Sequence, residues 1–135
     1  MVSATREIEV RVRIPHGKND ATDVLALLAE HQLPTVTRSY TTDNTGLMLL
    51  LTTNQPEEVQ RVVRAAGYRC DSHAVILVGP TSARPGAAAR LLGDLKRQGV
   101  NIQYSYLSAI DPEHCYLVFK AATDEQMLKA MAVAN

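Results

Sequence analysis

The sequence predicts an α+β fold in which one unit, with the element order βαββαβ, occurs twice. Three observations support this prediction: an internal similarity at an offset of 66 residues, strands with alternating apolar and polar residues, and amphipathic helices between them. The offset places Ser39-Tyr40 on Ser105-Tyr106 and superposes apolar positions along most of the two halves. Two copies of one unit create an interface, and we expect function to reside there.

Periodicity predicts the first strand and the first helix. Between Glu7 and Ile14, apolar residues alternate with charged ones, which is typical of a strand with one buried and one exposed face. Asn19 or Asp20 can cap the helix that follows, whose apolar stripe ends near His31.

A hairpin, a second helix and a short strand complete the first repeat. Residues 35–42 are mostly polar and rich in β-branched side chains, as in an edge strand. The Asp-Asn-Thr-Gly turn at 43–46 favours a hairpin to the leucine-rich strand that follows. Pro56 lies in the first turn of a helix that ends at Gly67, and residues 68–71 are predicted to form a closing strand.

The second repeat has the same order of elements. Its first strand, residues 74–78, is apolar on both faces and therefore needs cover on both sides. A helix that ends at Gly99, a hairpin with its turn at residues 111–114, and a last helix capped by Thr123 follow. No closing strand is predicted after that helix, so residues 1–7, a partner chain or nothing could complete this sheet.

The order βαββαβ defines the ferredoxin-like architecture, an antiparallel four-stranded sheet with two helices on one face. The polar segments at 35–42 and around Asn101 fall at edge positions of this topology, where polar strands are expected. We therefore predict one repeat at residues 1–73 and another at residues 74–135. Units this small bury little surface separately, so the two should fold together.

Two motifs in the second repeat resemble those of the ACT domain family. Ala83-Arg-Pro-Gly-Ala-Ala-Ala-Arg-Leu-Leu is similar to the family's R/K-P-G loop and helix, and Gly99-Val-Asn-Ile-Gln-Tyr is similar to its G-I/V-N-I strand start. The resemblance covers nearly the whole chain as two tandem copies, but the first copy departs from the motifs at residues 18–20 and 33–36. It implies a freestanding, non-catalytic regulator. Such a protein would bind an amino acid or related metabolite where two units join their sheets edge to edge, and would control an associated metabolic enzyme.

The candidate ligand site also follows from elementary chemistry. A glycine at the start of a helix lets a ligand approach the backbone, and the exposed N–H groups of the first turn attract a carboxylate. Asn101 offers a donor and acceptors, and Arg84 offers a fixed positive charge. In the first repeat Asp20 replaces the glycine and would repel a carboxylate, so we expect one site per tandem pair. The predicted ligand-binding residues are Arg84, Pro85, Gly86, Ala87, Asn101 and Ile102.

Composition argues against several other classes of protein. Lys plus Arg equals Asp plus Glu at 14 each, so we expect neither nucleic acid nor an anionic membrane as a partner. No segment approaches the roughly 18 apolar residues of a membrane span, and the N-terminus has no apolar leader core, which predicts a cytoplasmic protein. Cys70 and Cys115 are too few for a disulfide framework, and free thiols are expected.

Two other binding functions are alternatives to the regulatory one. The βαββαβ order is shared with RNA-binding modules, although the Gly-aromatic signature of those modules is missing from the central strands. Cysteine and histidine side chains of the right types for zinc occur at spacings that match no common zinc site. We predict no metal, no cofactor and no catalysis. The aromatic candidates for RNA binding are Tyr104, Tyr106, Tyr116 and Phe119, and the candidates for a metal site are Cys70, His73, His114 and Cys115.

The main alternative is an interaction module that assembles or docks without a metabolite. Its basis is the doubly apolar strand at residues 74–78 together with the leucines at 47–51, because a two-layer unit covers only one face of its sheet. The same observation predicts a homodimer, in which a second copy supplies the missing cover.

Overall fold

The computed structural model describes residues 3–17 and 20–134, with side chains described up to Ala132. This part of the chain contains six antiparallel strands and four helices, which confirms the α+β class. None of its helices is long and apolar enough to cross a bilayer. The elements are β1 (Ala4–Pro15), α1 (Ala21–Glu30), β2 (Thr37–Asp43), β3 (Gly46–Thr53), α2 (Pro56–Ala65), β4 (Arg69–Ser82), α3 (Ala87–Arg97), β5 (Ile102–Ala109), β6 (His114–Ala121) and α4 (Asp124–Ala134).

The chain divides into two compact units. The first unit is Ile8–His73, and the second unit is Ala74–Asn135 together with Met1–Glu7. Strands β1 and β4 therefore each contribute residues to both units.

In the first unit the strand order is β2-β3-β1-β4, so the polar strand β2 lies at an edge as predicted. Alternation along β1 buries Val10, Val12 and Ile14 against the helices. The apolar stripes of α1 and α2 cover this face, with Val24 and Val59 fully buried. The cap of α1 is Asp20, one of the two predicted candidates; the other, Asn19, lies outside the described residues.

In the second unit the order is β1-β4-β6-β5, so β5 is the edge strand. The position that the sequence left open is taken by the N-terminal segment. Ser3 accepts a hydrogen bond from the Gly79 N–H (2.9 Å), and its hydroxyl donates to the Gly79 carbonyl (2.8 Å). Ala4 packs against the core of this unit, around Ile76 and Phe119. The beginning of the chain thus extends the sheet of the second unit.

The prediction of separate strands at residues 68–71 and 74–78 is wrong. A single strand, β4, runs through both. The residues between them contain no glycine or proline that would turn the chain. Instead Asp71 pairs with Arg11, and His73 Nε2 lies 2.9 Å from Oε1 of the buried Glu9, which holds this stretch extended beside β1.

The apolar strand at the start of the second repeat is already covered within one chain. Val75 has no exposed surface, and it clusters with Leu77 and Val118 on the face opposite the helices. Tyr106 and Tyr116 pack against this cluster. A homodimer is therefore not needed to bury Val75 and Leu77, and the prediction of one must rest on other features.

Both hairpin turns are organised by an aspartate, Asp43 in the first unit and Asp111 in the second. Oδ1 of Asp43 accepts hydrogen bonds from the Thr45 hydroxyl (2.6 Å) and the Thr45 N–H (2.8 Å), and Arg13 approaches Oδ2 at 3.2 Å. These contacts, led by the Thr45 hydroxyl, lower the pKa of Asp43 to about 2.

We expect the hydrogen bonds of Asp43 to make stability depend on pH in acid. Because the folded pKa lies below the ordinary value of 3.8, the contribution is complete above that value and is lost as pH falls through about 2. The difference in melting temperature between the wild type and Asp43→Asn should therefore shrink across this range. Thr45→Val, which removes the hydroxyl donor, should raise the pKa of Asp43. A difference that stays constant down to about pH 2 would contradict this assignment.

Candidate ligand-binding site

The loop between β4 and α3 is tied by its own backbone. The Arg84 N–H donates to the Ser82 hydroxyl oxygen (3.1 Å), and the Ala87 N–H donates to the Arg84 carbonyl (3.2 Å). Gly86 is the N-cap of α3 and has φ of 92°, in the left-handed region that favours glycine. Apart from Gly86 and its neighbours along the chain, no atom lies within 4 Å of the place where a Cβ on Gly86 would stand.

The residue at the start of each helix, Gly86 for α3 and Asp20 for α1, predicts that only α1 has a side-chain cap, and the structure shows this difference. No side chain caps α3, and the N–H groups of Ala88 and Ala89 have no acceptor in the described part of the chain. At α1 the Asp20 carboxylate accepts from the Asp23 N–H (3.1 Å), and the Asp23 carboxylate accepts from the Asp20 N–H (3.0 Å). The start of α1 therefore already holds a carboxylate of its own, whereas the start of α3 is free to receive one.

The structure places Asn101 and Ile102 at the opposite end of α3 from Gly86. Asn101 follows the helix C-terminus and accepts a hydrogen bond from the Ala122 N–H (2.9 Å). Ile102 begins β5 and packs against the core. Since α3 has 11 residues at about 1.5 Å each, roughly 16 Å separates its two ends. The six predicted residues thus form two groups that one chain does not bring together.

Strand β5 connects these two ends of the second unit. It starts at Ile102 and leads into the turn before β6, where the Ala83 N–H donates to the Glu113 carbonyl (2.9 Å). The far end of β5 therefore lies at the same end of the sheet as the loop that carries Gly86. Leu107 is 47% exposed on this edge strand.

Arg84 and Pro85 face a groove rather than Asn101. The groove has a volume of about 680 Å³. Sequence reasoning missed its other residues because their proximity to Arg84 depends on the pairing of β4 with β6, in which Ser82 lies opposite His114. The groove is lined by Pro80, Thr81, Ser82, Ala83, Arg84, Pro85, Pro112, Glu113 and His114.

The first unit has a hollow of about 560 Å³ beside the start of α1. Asp20 stands at its helical side, Arg38 and Tyr40 come from the edge strand β2, and Leu25 and Leu49 provide apolar surface. The position that is glycine in the second unit is thus an acidic side chain in the first.

The structure also shows where the residues considered for RNA binding and for metal binding lie. Phe119 is buried in the core of the second unit and cannot stack on a base. Tyr104 and Tyr106 stack on each other with ring centroids 6.5 Å apart. Cys70 and Cys115 are free thiols, and burial raises the pKa of both. No group of three or more His, Cys, Asp or Glu residues that could hold a metal occurs within residues 3–17 and 20–134.

Comparisons with known proteins find similarity at the level of structure. No protein-family model matches the sequence, and no curated protein matches it in sequence. A solved protein from Bacteroides thetaiotaomicron is 17% identical with a TM-score of 0.83, over 97% of this chain and 90% of that one. The ligand-free regulatory subunit of aspartate kinase from Thermus thermophilus is 16% identical with a TM-score of 0.69, over 98% of this chain and 95% of the subunit.

A complete enzyme contains a similar segment. Aspartate kinase from Synechocystis is 18% identical with a TM-score of 0.71, and the match covers 98% of this chain and 26% of the enzyme. The chain therefore has the ACT-type fold of aspartate kinase regulatory subunits, the fold that its two sequence motifs predict.

Proposed function

We propose that this chain is a non-catalytic regulatory protein that binds an amino acid at a site formed by two copies of its second unit. The observation that carries the proposal is the separation of the predicted residues. Gly86 and Ala87 begin α3, Asn101 and Ile102 lie beyond its other end, and the edge strand β5 runs between the two groups.

A two-fold axis across β5 would bring the two groups together. Two identical edge strands that pair antiparallel run in opposite directions, so the start of one lies beside the end of the other. The end of β5 is next to the loop that leads to Gly86. Asn101 and Ile102 of the second copy would then face Gly86 and Ala87 of the first, and the symmetry would produce two equal sites.

The two groups offer complementary contacts to an amino acid. The open N–H groups of Ala88 and Ala89, at the positive end of the helix dipole, suit the α-carboxylate. The amide oxygen of Asn101 suits the ammonium group, and Ile102 adds apolar surface. Arg84 and Pro85 shape the loop and add positive charge beside it. The absence of a charged cap at Gly86 supports this arrangement, because a carboxylate such as that of Asp20 would occupy the same place.

A thermal-shift screen of amino acids and their biosynthetic intermediates tests the function. A ligand at about 100 times its dissociation constant stabilises the folded protein by about 2.7 kcal/mol, which a melting curve detects readily. We expect one compound or a small related group to raise the melting temperature. If no compound does so, amino-acid binding is wrong.

Replacing Leu107 by lysine should separate the copies. A lysine on an exposed edge disfavours edge-to-edge pairing, and Leu107 is 47% exposed, so the fold of the chain should be preserved. We expect monomers in sedimentation and at least about a tenfold loss of ligand affinity, because each monomer keeps only half of the site. The matched control is Tyr40→Lys on the other edge strand, where the exposed fraction is 63%. Dimers of Leu107→Lys with unchanged affinity would exclude the β5 interface.

We propose a metabolic enzyme as the regulated partner and the cytoplasm as the location. Support for the enzyme partner comes from those structural neighbours that are regulatory subunits or domains of aspartate kinase. The interaction module without a metabolite is less well supported, because Val75 and Leu77 are covered within a single chain.

A further inference from the structure

Three tyrosines lie on the face of the second unit's sheet that is opposite the helices. Tyr106 and Tyr116 pack against the apolar cluster that contains Val118. Tyr104 precedes Tyr106 by two residues on the edge strand β5, and the two rings are neighbours. All three side chains are partly exposed. We call Tyr104, Tyr106 and Tyr116 the aromatic platform.

The rings of Tyr104 and Tyr106 share one orientation. Their planes are parallel within 9°, and their centroids are 6.5 Å apart. Two rings in full face-to-face contact would be about 3.5–4.0 Å apart, so neither ring is in full contact with the face of the other. Ring faces of this kind can receive a nucleobase, because every base has a π-face that stacks on aromatic side chains.

Lys120 adds a positive charge beside the rings. It lies opposite Tyr104 in the pairing of β5 with β6, where facing side chains have Cβ atoms about 5 Å apart. Its ammonium group donates to the Ala74 carbonyl (3.0 Å) and has no ion-pair partner among the described residues. A lysine ammonium carries three donors, so two of them remain for a ligand. No other Lys, Arg, Asp or Glu residue occurs in β5 or β6.

The side chains on this face argue against a protein as its occupant. Val75, Leu77 and Val118 are at most 7% exposed, so a second chain would bury little additional apolar surface here. The large apolar side chains that the second unit does expose, Leu107 and Ile110, are outside the platform. The face therefore offers a ligand mainly stacking surface and one cation. One lysine matches a single phosphate, whereas a nucleic acid strand is bound through several positive charges.

We propose that the aromatic platform binds a mononucleotide, with its base stacked on Tyr104 and Tyr106 and its phosphate on Lys120. Aromatic side chains on the face of an antiparallel sheet stack bases in other folds, and a lysine ammonium forms charge-assisted hydrogen bonds with phosphate. A single chain forms this site completely. It shares no residue with the amino acid site proposed above and does not depend on it.

Titration of the full-length protein with adenosine monophosphate tests the proposal. Calorimetry gives the affinity, and the ring C–H signals of the tyrosines in nuclear magnetic resonance spectra give the location. Adenosine lacks the phosphate, and ribose phosphate lacks the base. We expect adenosine monophosphate to shift the signals of Tyr104 and Tyr106 saturably, and to bind at least about tenfold more tightly than either fragment. A single-stranded oligoadenylate should bind no more tightly per nucleotide than the monophosphate.

Matched variants separate the ring and the charge from their structural roles. Tyr104→Leu keeps an apolar side chain but removes the ring, and it should weaken binding at least about tenfold, whereas Tyr104→Phe should not. Lys120→Met should weaken binding about tenfold, and Lys120→Arg should preserve it. Tyr40→Leu, on the edge strand of the first unit, is the control outside the platform and should have no effect.

Four results would overturn the proposal. The first is an absence of change in the Tyr104 and Tyr106 signals, and the second is equal affinity of Tyr104→Leu and Tyr104→Phe. Tighter binding of the oligoadenylate per nucleotide would assign the platform to a nucleic acid strand, and loss of dimers in Tyr104→Leu would assign it to a second copy. Leu107→Lys should leave the binding of adenosine monophosphate unchanged, so failure of the platform and failure of the amino acid site can be told apart.

Discussion

Gly86→Asp should abolish stabilisation by the amino acid ligand. The substitution copies Asp20, whose carboxylate accepts the N–H of the third helical residue of α1 at 3.1 Å. An aspartate at position 86 would bring a negative charge to the start of α3, where it would repel the ligand's carboxylate. At about 100 times the dissociation constant, the expected loss is the whole stabilisation of about 2.7 kcal/mol.

Gly86→Ala is the matched control for this variant. Both substitutions add a Cβ where no atom lies within 4 Å, and both place an L-residue at φ of 92°, so both should destabilise the free protein by about 1 kcal/mol. Only the aspartate brings a carboxylate. Ligand-induced shifts in melting temperature should therefore persist in Gly86→Ala and vanish in Gly86→Asp. Equal losses in the two variants would show that backbone conformation, rather than the free helix terminus, determines binding.

Deleting residues 1–7 should destabilise the second unit by about 3 kcal/mol and lower its melting temperature by roughly 12–24 °C. The deletion removes both hydrogen bonds between Ser3 and Gly79 and the packing of Ala4 on the core, and it exposes the edge of β4 beside which Ser3 and the first residues of β1 lie. Removal of a segment at the beginning of the chain would thus act on the unit formed mainly by its end.

A single substitution measures how much of the destabilisation by this deletion comes from one hydrogen bond. Ser3→Ala removes only the hydroxyl bond to the Gly79 carbonyl (2.8 Å) and should cost about 1 kcal/mol. Hydrogen exchange can locate the loss, which should be largest for the Gly79 N–H and its neighbours in β4. If the deletion leaves the melting temperature within about 2 °C of the wild type, the N-terminal segment does not stabilise this sheet.

Local patterns predicted most of the elements of this fold. Alternation identified β1, helical periodicity identified α1 and α2, and the Asp-Asn-Thr-Gly turn identified the first hairpin. One wrong prediction and one question that the sequence left open concern strand pairing across long sequence separations. The fusion of two short strands into β4 and the pairing of Ser3 with Gly79, 76 residues away, depend on contacts that periodicity does not report.

In the candidate site too, local chemistry could be predicted from the sequence, whereas contacts between distant segments could not. The chemistry of a glycine at a helix start predicted the difference between Gly86 and Asp20, and the structure shows an open helix terminus at one and a carboxylate at the other. The sequence motif grouped Gly86 with Asn101, but an intervening helix of 11 residues separates them. The groove that Arg84 faces could not be predicted, because it depends on the register of β4 and β6, which places Ser82 opposite His114.

Complementation between two inactive variants tests most directly whether two copies form the ligand site. Gly86→Asp and Asn101→Ala should each abolish binding as homodimers, since each damages both sites. In a mixed dimer one site carries both substitutions and the other carries neither. Co-expression of the two variants should therefore restore about a quarter of the wild-type number of sites, with wild-type affinity, because half of randomly formed dimers are mixed. If the mixture binds no more ligand than the separate variants, the site does not lie between two copies.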